Sequence, residues 1–256
     1  MVKLRKIIGI GAVLSAGLAG AGMASASVQL EIIAGNGQSE FLPTTASSSA
    51  SYTSSSGSFG GFSWSAITVS SNAADPAQAA NLTLGITDLT NATASSFPSY
   101  AIEILASGNG FSYDPVGTNY LQSSGSLDYS SGTSGDGVGQ TSYQDNSNAL
   151  FGETNSLTPD NSPYTVPNPA PSGSTPVSLG QNEVAISPTS GYSLTVSASF
   201  VIQATSSVSN YGGSFQSVVS NTPFVASTPL PGSGSLALVG GLALIGAMAI
   251  RRRVAR

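Results

Sequence analysis

The chain has 256 residues, of which seven are Lys or Arg and twelve are Asp or Glu, with no His and no Cys. All the cations lie near the two ends, Lys3, Arg5 and Lys6 at the start and Arg251, Arg252, Arg253 and Arg256 at the finish, so the stretch between them carries every carboxylate and no positive charge. Within that stretch a Ser-His-Asp or Cys-His nucleophile, a Schiff-base Lys, an Arg clamp on phosphate, disulfides and Lys-based isopeptide staples are all excluded, and the unopposed negative charge repels nucleic acid.

In chain order, residues 1–26 have the three parts of a secretory signal. A basic region at Lys3 to Lys6 precedes an apolar run over 7–22 and the small-residue site Ala24-Ser25-Ala26, so signal peptidase is expected to cut after Ala26 and leave Ser27 as the mature start. Five glycines and a length short of a bilayer span argue against a permanent membrane helix here. Gly9-Ile10-Gly11 is no dinucleotide fingerprint, because no strand precedes it and Leu14 stands where the third glycine belongs.

The body, residues 27–227, is rich in Ser, Thr, Gly and Asn, and its apolar residues recur in short alternating runs, a pattern of strands rather than helices. Strands are expected at 28–34, 62–70, 82–90, 100–107, 126–130, 184–187, 192–204 and 215–219. In the clearest, Leu194, Val196, Ala198, Phe200, Ile202 and Ala204 share one face, and Ser193, Thr195, Ser197 and Ser199 share the other, which alternation assigns to water. Asn36-Gly37 and Asn109-Gly110 supply turns that accept positive φ. Trp64 shares a face with Phe62 and reads as core. One all-β domain follows, an antiparallel β-sandwich, with a signal helix expected before it and a single transmembrane helix after it.

Two stretches read as lying outside the regular sheets: the Ser-rich 46–58, and 158–180, where six prolines work against ladder pairing. The carboxylates are evenly scattered, as solvated loops and strand edges produce. Glu31 and Glu103 are expected on hydrated strand faces with Ile32 and Ile104 turned inward. Asp136-Gly137 and Asp145-Asn146 offer oxygen ligands for calcium, but without the spacing of an EF-hand loop or a nonapeptide repeat. No catalytic, cofactor or metal site is assigned.

The last segment, residues 228–256, has Thr228-Pro229-Leu230-Pro231, then Gly232 to Ser235, an apolar run of about fifteen residues over 236–250, and the arginines. The run is short against the roughly twenty residues a spanning helix prefers, and Arg251, Arg252 and Arg253 are expected to stay on the cytoplasmic side. This order of parts resembles the PEP-CTERM sorting signal of exported bacterial precursors, with Leu230 where the commonest family form has Glu. The resemblance implies that Pro229 and Pro231 are recognised by an exosortase, a membrane-embedded enzyme with a catalytic Cys, which removes the tail after a transient stay in the inner membrane. Two other readings stay open: Leu230-Pro231-Gly232-Ser233-Gly234 is similar to a sortase Leu-Pro-x-Thr-Gly signal, and the segment also reads as a plain anchor.

The function expected is that of a non-enzymatic surface or extracellular-matrix protein associated with exopolysaccharide or biofilm. A secreted carbohydrate-binding module is the alternative, marked by exposed aromatic rings on a sheet face. A carboxylate-dependent glycoside hydrolase would instead need two carboxyl groups about 5 to 9 Å apart across a cleft.

Overall fold

The structure is a computed structural model and describes residues 27–42, 51–73, 78–91, 99–112, 117–131, 134–167, 175–188, 191–203 and 209–224. The helices expected near both ends lie outside these residues. Among the described residues no helix is long and apolar enough to cross a membrane. All the strands belong to a compact unit that ends at Pro223.

The strands are β1 (Val28–Ala34), β2 (Ser39–Leu42), β3 (Ser51–Ser54), β4 (Gly57–Phe59), β5 (Phe62–Trp64), β6 (Ala66–Ser71), β7 (Ala80–Asn91), β8 (Ser99–Phe111), β9 (Asn119–Ser131), β10 (Gly137–Asp145), β11 (Asn155–Leu157), β12 (Tyr164–Thr165), β13 (Thr175–Ile186), β14 (Tyr192–Gln203) and β15 (Asn210–Ser220). A first sheet runs β11-β10-β14-β8-β1-β2 with β12 also on β10, and a second runs β13-β9-β15-β7-β5-β4 with β6 on β7 and β3 on β6. Every pairing is antiparallel. The body is therefore all-β and sandwich-like.

Alternation explains the shared core. Leu30, Ile32, Ile104, Leu194, Val196 and Phe200 of the first sheet meet Phe62, Ile67, Leu82, Leu84, Leu127 and Phe215 of the second in one buried cluster. The ring of Phe200 stands edge-on to Phe215, 6.2 Å away, which joins the two layers directly. Each such side chain contributes about 1.5–3 kcal/mol on burial. Trp64 is core, as its phase with Phe62 predicts.

The expected strand over 62–70 is broken at Ser65, for a physical reason. Ser65 and Asp88 form an irregularity between β5–β6 and β7, with Asp88 at φ 51° and Ser65 Oγ donating to Asp88 Oδ2 over 2.9 Å. The register is the same on both sides, Ser63 opposite Thr90 and Ala66 opposite Thr87, so the two strands change phase together: the inward set passes from Phe62 and Trp64 to Ile67 and Val69, and on the partner from Leu89 to Ile86, and both sides of the break bury their apolar residues.

Three expectations are corrected. The Ser-rich stretch contains β3 and β4, because an edge ladder needs only backbone groups and Tyr52 to pack on the core. The proline-rich stretch contains β12 and the start of β13. Pro176 sits in β13, which has a partner on one side only, the edge position where a sheet admits proline. Finally, most of the Ser and Thr face of β14 is not hydrated: Ser193, Thr195 and Ser197 are buried beside Leu105 and Ser107, and only Ser199 keeps part of the expected exposure.

β10 escaped the sequence pattern because its inward residues are Val138, Gln140, Ser142 and Gln144. They meet the second sheet along a polar seam. Gln140 Nε2 donates to Ser123 Oγ at 3.2 Å and to the carbonyls of Ser124 and Gln216 at 2.9 and 3.1 Å, while the Ser123 and Ser142 hydroxyls pair at 2.8 Å.

Candidate functional site

The sorting and processing residues, Ala24, Ala26, Pro229, Leu230, Pro231, Arg251, Arg252 and Arg253, lie outside the described residues. Next to the first of them, the first described residue is held in place. Ser27 donates from both its backbone N–H and its hydroxyl to Asn109 Oδ1, at 3.0 and 2.8 Å, and its carbonyl accepts from the Asn109 N–H.

Among the described residues, charged and aromatic side chains gather on the outer face of the first sheet. Its rows follow from strand register. Phe41, Glu31, Leu105, Ser197 and Thr141 face one another across β2, β1, β8, β14 and β10. The next row is Ser39, Ile33, Glu103, Ser199 and Gly139, and on the opposite flank Gln29, Ser107, Thr195, Tyr143 and Ser156 line up. Glu31 and Glu103 are thus diagonal neighbours on adjacent strands. The Ile32 and Ile104 side chains point into the core, as expected.

The position of Phe41 follows from the Asn36-Gly37 turn. Gly37 takes φ 84°, its N–H donates to the Ala34 carbonyl, and Asn36 Oδ1 accepts from the Gln38 N–H. That turn pairs Ile33 with Ser39, which sets Phe41 directly across from Glu31. The Phe41 ring is 49% exposed and leans on Phe151 at 6.0 Å.

Phe151 belongs to the loop over 146–154, which folds across part of this face and covers the Ser and Thr row. Its N–H donates to Ser107 Oγ at 2.8 Å, and Ser193 Oγ donates to the Ala149 carbonyl at 2.6 Å. Asp145 organises the loop: its carboxylate accepts from the Ser147 and Thr154 hydroxyls and from the Ala149 N–H. Gly152 is needed there, since a Cβ would fall 2.4 Å from Asp145 Cγ. Asn148 and Phe151 lie at φ 57° and 59°, a region costly for a residue with a side chain, and their bonds to Gly110 and Ser107 hold them in it.

The electrostatics of the face follow from this crowding. Burial pushes the Glu31 carboxyl up; a hydrogen bond from Ser39 pulls the other way and the neighbouring charge of Glu103 adds to the rise. The Tyr143 phenol is pushed up to about 12, first by burial and then by the charges of Glu153 and Glu103, against a bond from Thr141. Glu103 accepts from Ser197 Oγ at 2.6 Å. Four acidic groups therefore converge from distant parts of the sequence onto one face.

The two aspartates that offered calcium ligands are engaged in other ways. The Asp145 oxygens serve the loop. Burial raises that carboxyl, but the bonds from Ser147, Thr154 and Ala149 outweigh it and hold the group below its ordinary range. Asp136 is fully buried and accepts from the Gln203 N–H, Ser209 Oγ and Tyr211 OH at 2.7, 2.8 and 2.5 Å. Among the described residues no three His, Cys, Asp or Glu side chains come together as a metal set.

On the second sheet a shallow groove of about 250 Å³ is lined by Ser124, Gly125, Ser126, Ser178, Gln181 and Gln216 among others, without a charged or aromatic side chain. It offers hydroxyls and amides only. The first sheet's outer face offers apolar rings beside carboxylates, and Glu31 and Glu103 stand side by side on it rather than across a cleft. Sequence reading did not single out Phe41, Tyr143 or Phe151; for Phe41 the signal was available, since the Asn-Gly turn fixes the register that places it opposite Glu31. Comparison with protein-family models, with curated proteins and with solved structures finds no match for the chain.

Proposed function

We propose that the chain is the precursor of a non-enzymatic protein of the bacterial surface or extracellular matrix. Signal peptidase frees Ser27, the apolar run over 236–250 forms a single helix that holds the precursor in the inner membrane, and an exosortase removes the tail near Pro229 and Pro231. The released body, a β-sandwich, then associates with exopolysaccharide. The observation that carries this reading is the order of parts in residues 228–256: Pro-Leu-Pro, an apolar run, then Arg251, Arg252 and Arg253, following a body without a single internal cation. Support also comes from the chemistry of the body, whose Asp136 and Asp145 oxygens are committed to hydrogen bonds that hold loops and strands together.

A secreted carbohydrate-binding module is the second reading, favoured by the exposed Phe41 ring on a sheet face that also carries carboxylates. Both readings share an exported body that contacts a polysaccharide. Replacing Pro229 and Pro231 together by Ala tests the sorting step. Unprocessed precursor should then accumulate in the membrane fraction, and normal processing of that variant would remove the exosortase from the account.

A further inference from the structure

We infer that the outer face of the first sheet binds a polysaccharide carrying free amino groups, such as a partly de-N-acetylated hexosamine polymer. The inference rests on the proposed association with exopolysaccharide and names the class of polymer. Two independent features point to it. The first is apolar: Phe41 is 49% exposed and leans on Phe151, and the 39% exposed Val201 lies farther across the same outer face, on β14, with β1 and β8 between. An exposed ring at this spacing presents a flat surface to the apolar side of a pyranose. The second is electrostatic: Glu31 and Glu103 lie diagonally on adjacent strands of this face, exposed Glu153 belongs to the loop that crosses it, and the stretch between Lys6 and Arg251 holds no cation to offset them.

Charge complementarity decides between polymers. A neutral glucan would leave the mutual repulsion of Glu31 and Glu103 in place, and an acidic one would add to it. An ammonium group near the pair relieves it, while ring hydroxyls meet Ser199 and Thr141 in the adjoining positions of the rows. A basic peptide satisfies the charges too, but the exposed Phe41 ring suits a sugar plane better than a flexible aliphatic stem.

The test is binding of the full-length protein, in detergent micelles, to glucosamine oligomers, their fully N-acetylated counterparts, a neutral β-glucan oligomer and oligolysine, read by calorimetry at low and high salt. Glucosamine oligomers should bind most tightly and weaken with salt. Glu103→Gln and Glu31→Gln should each lose about fivefold, the upper end for an exposed ion pair, and Phe41→Ala a similar factor. Asp160→Asn, which removes one charge from an exposed position elsewhere, should bind as the parent does. The amine assignment is overturned if acetylated oligomers or the glucan bind equally well, which leaves the polysaccharide association standing. Oligolysine binding as tightly as the amino sugar, or binding indifferent to Glu103→Gln and Phe41→Ala, overturns the face as a sugar site. No binding to any of the sugars overturns both the inference and the polysaccharide part of the proposed function.

Discussion

The Tyr211 phenol donates to Asp136 Oδ2 over 2.5 Å at a point where neither residue meets water. Around that bond Ser209 Oγ and the Gln203 N–H complete the carboxylate, and the Asp136 carbonyl accepts from the Val166 N–H, so one acidic residue ties β10, β14, β15 and the segment after β12. Burial, and then the bond to Asp136, push the Tyr211 phenol well above its ordinary range.

Tyr211→Phe removes one donor and leaves a buried carboxyl oxygen of Asp136 with one hydrogen bond fewer. Stability should fall by about 1–3 kcal/mol, read as a lower urea midpoint with an unchanged slope. Asp136→Asn should cost a comparable amount.

The Asp145 loop makes stability depend on acid. Its carboxyl is held below the ordinary range in the folded state. The unfolded chain therefore binds its proton first as pH falls, and the stabilisation, complete above the unfolded value, is lost on descending through the folded one. Urea midpoints measured from neutral pH downward should decline through and below the carboxylate range, and Asp145→Ala should be less stable by about 1–3 kcal/mol and flatten that decline.

Glu31 has the opposite sign. Its folded value is raised, so the folded state keeps its proton longer and stability falls as pH rises from the unfolded value through the folded one. Above that window Glu31→Gln should stabilise the protein by less than about 1 kcal/mol, because the group is half-exposed and screened. Below it the variant should match the parent.

Gly57 packs flat on the Trp64 indole, and a Cβ there would stand 2.6 Å from Cζ2. Gly57→Ala should cost about 1–3 kcal/mol by overpacking and shift Trp64 fluorescence, since the indole must move.

How much of this was legible in the sequence depends on what each strand buries. β1 and β14 carry apolar residues at every second position and were readable nearly to the residue. β10 was not, because its inward side chains are amides and hydroxyls satisfied by the second sheet, which only the assembled layers supply. β9 was read over its final third alone, since Ser123 and Gly125 interrupt its inward row; Gly125 leaves room for Gln140, whose Oε1 would lie 2.0 Å from a Cβ. The hydrated face expected for β14 is dry because a loop forty residues earlier in the chain folds over it, a contact without local signature. The gathering of Glu31, Glu103, Tyr143 and Glu153 is of the same kind: evenly spaced carboxylates conceal which strands lie side by side.

The central claim, an exported body processed at both ends, is tested most directly by intact mass and C-terminal peptide mapping of the protein recovered from its native envelope and medium. The account predicts a chain that begins at Ser27 and ends near Pro229 to Pro231. A recovered chain that still carries Arg256 would contradict it.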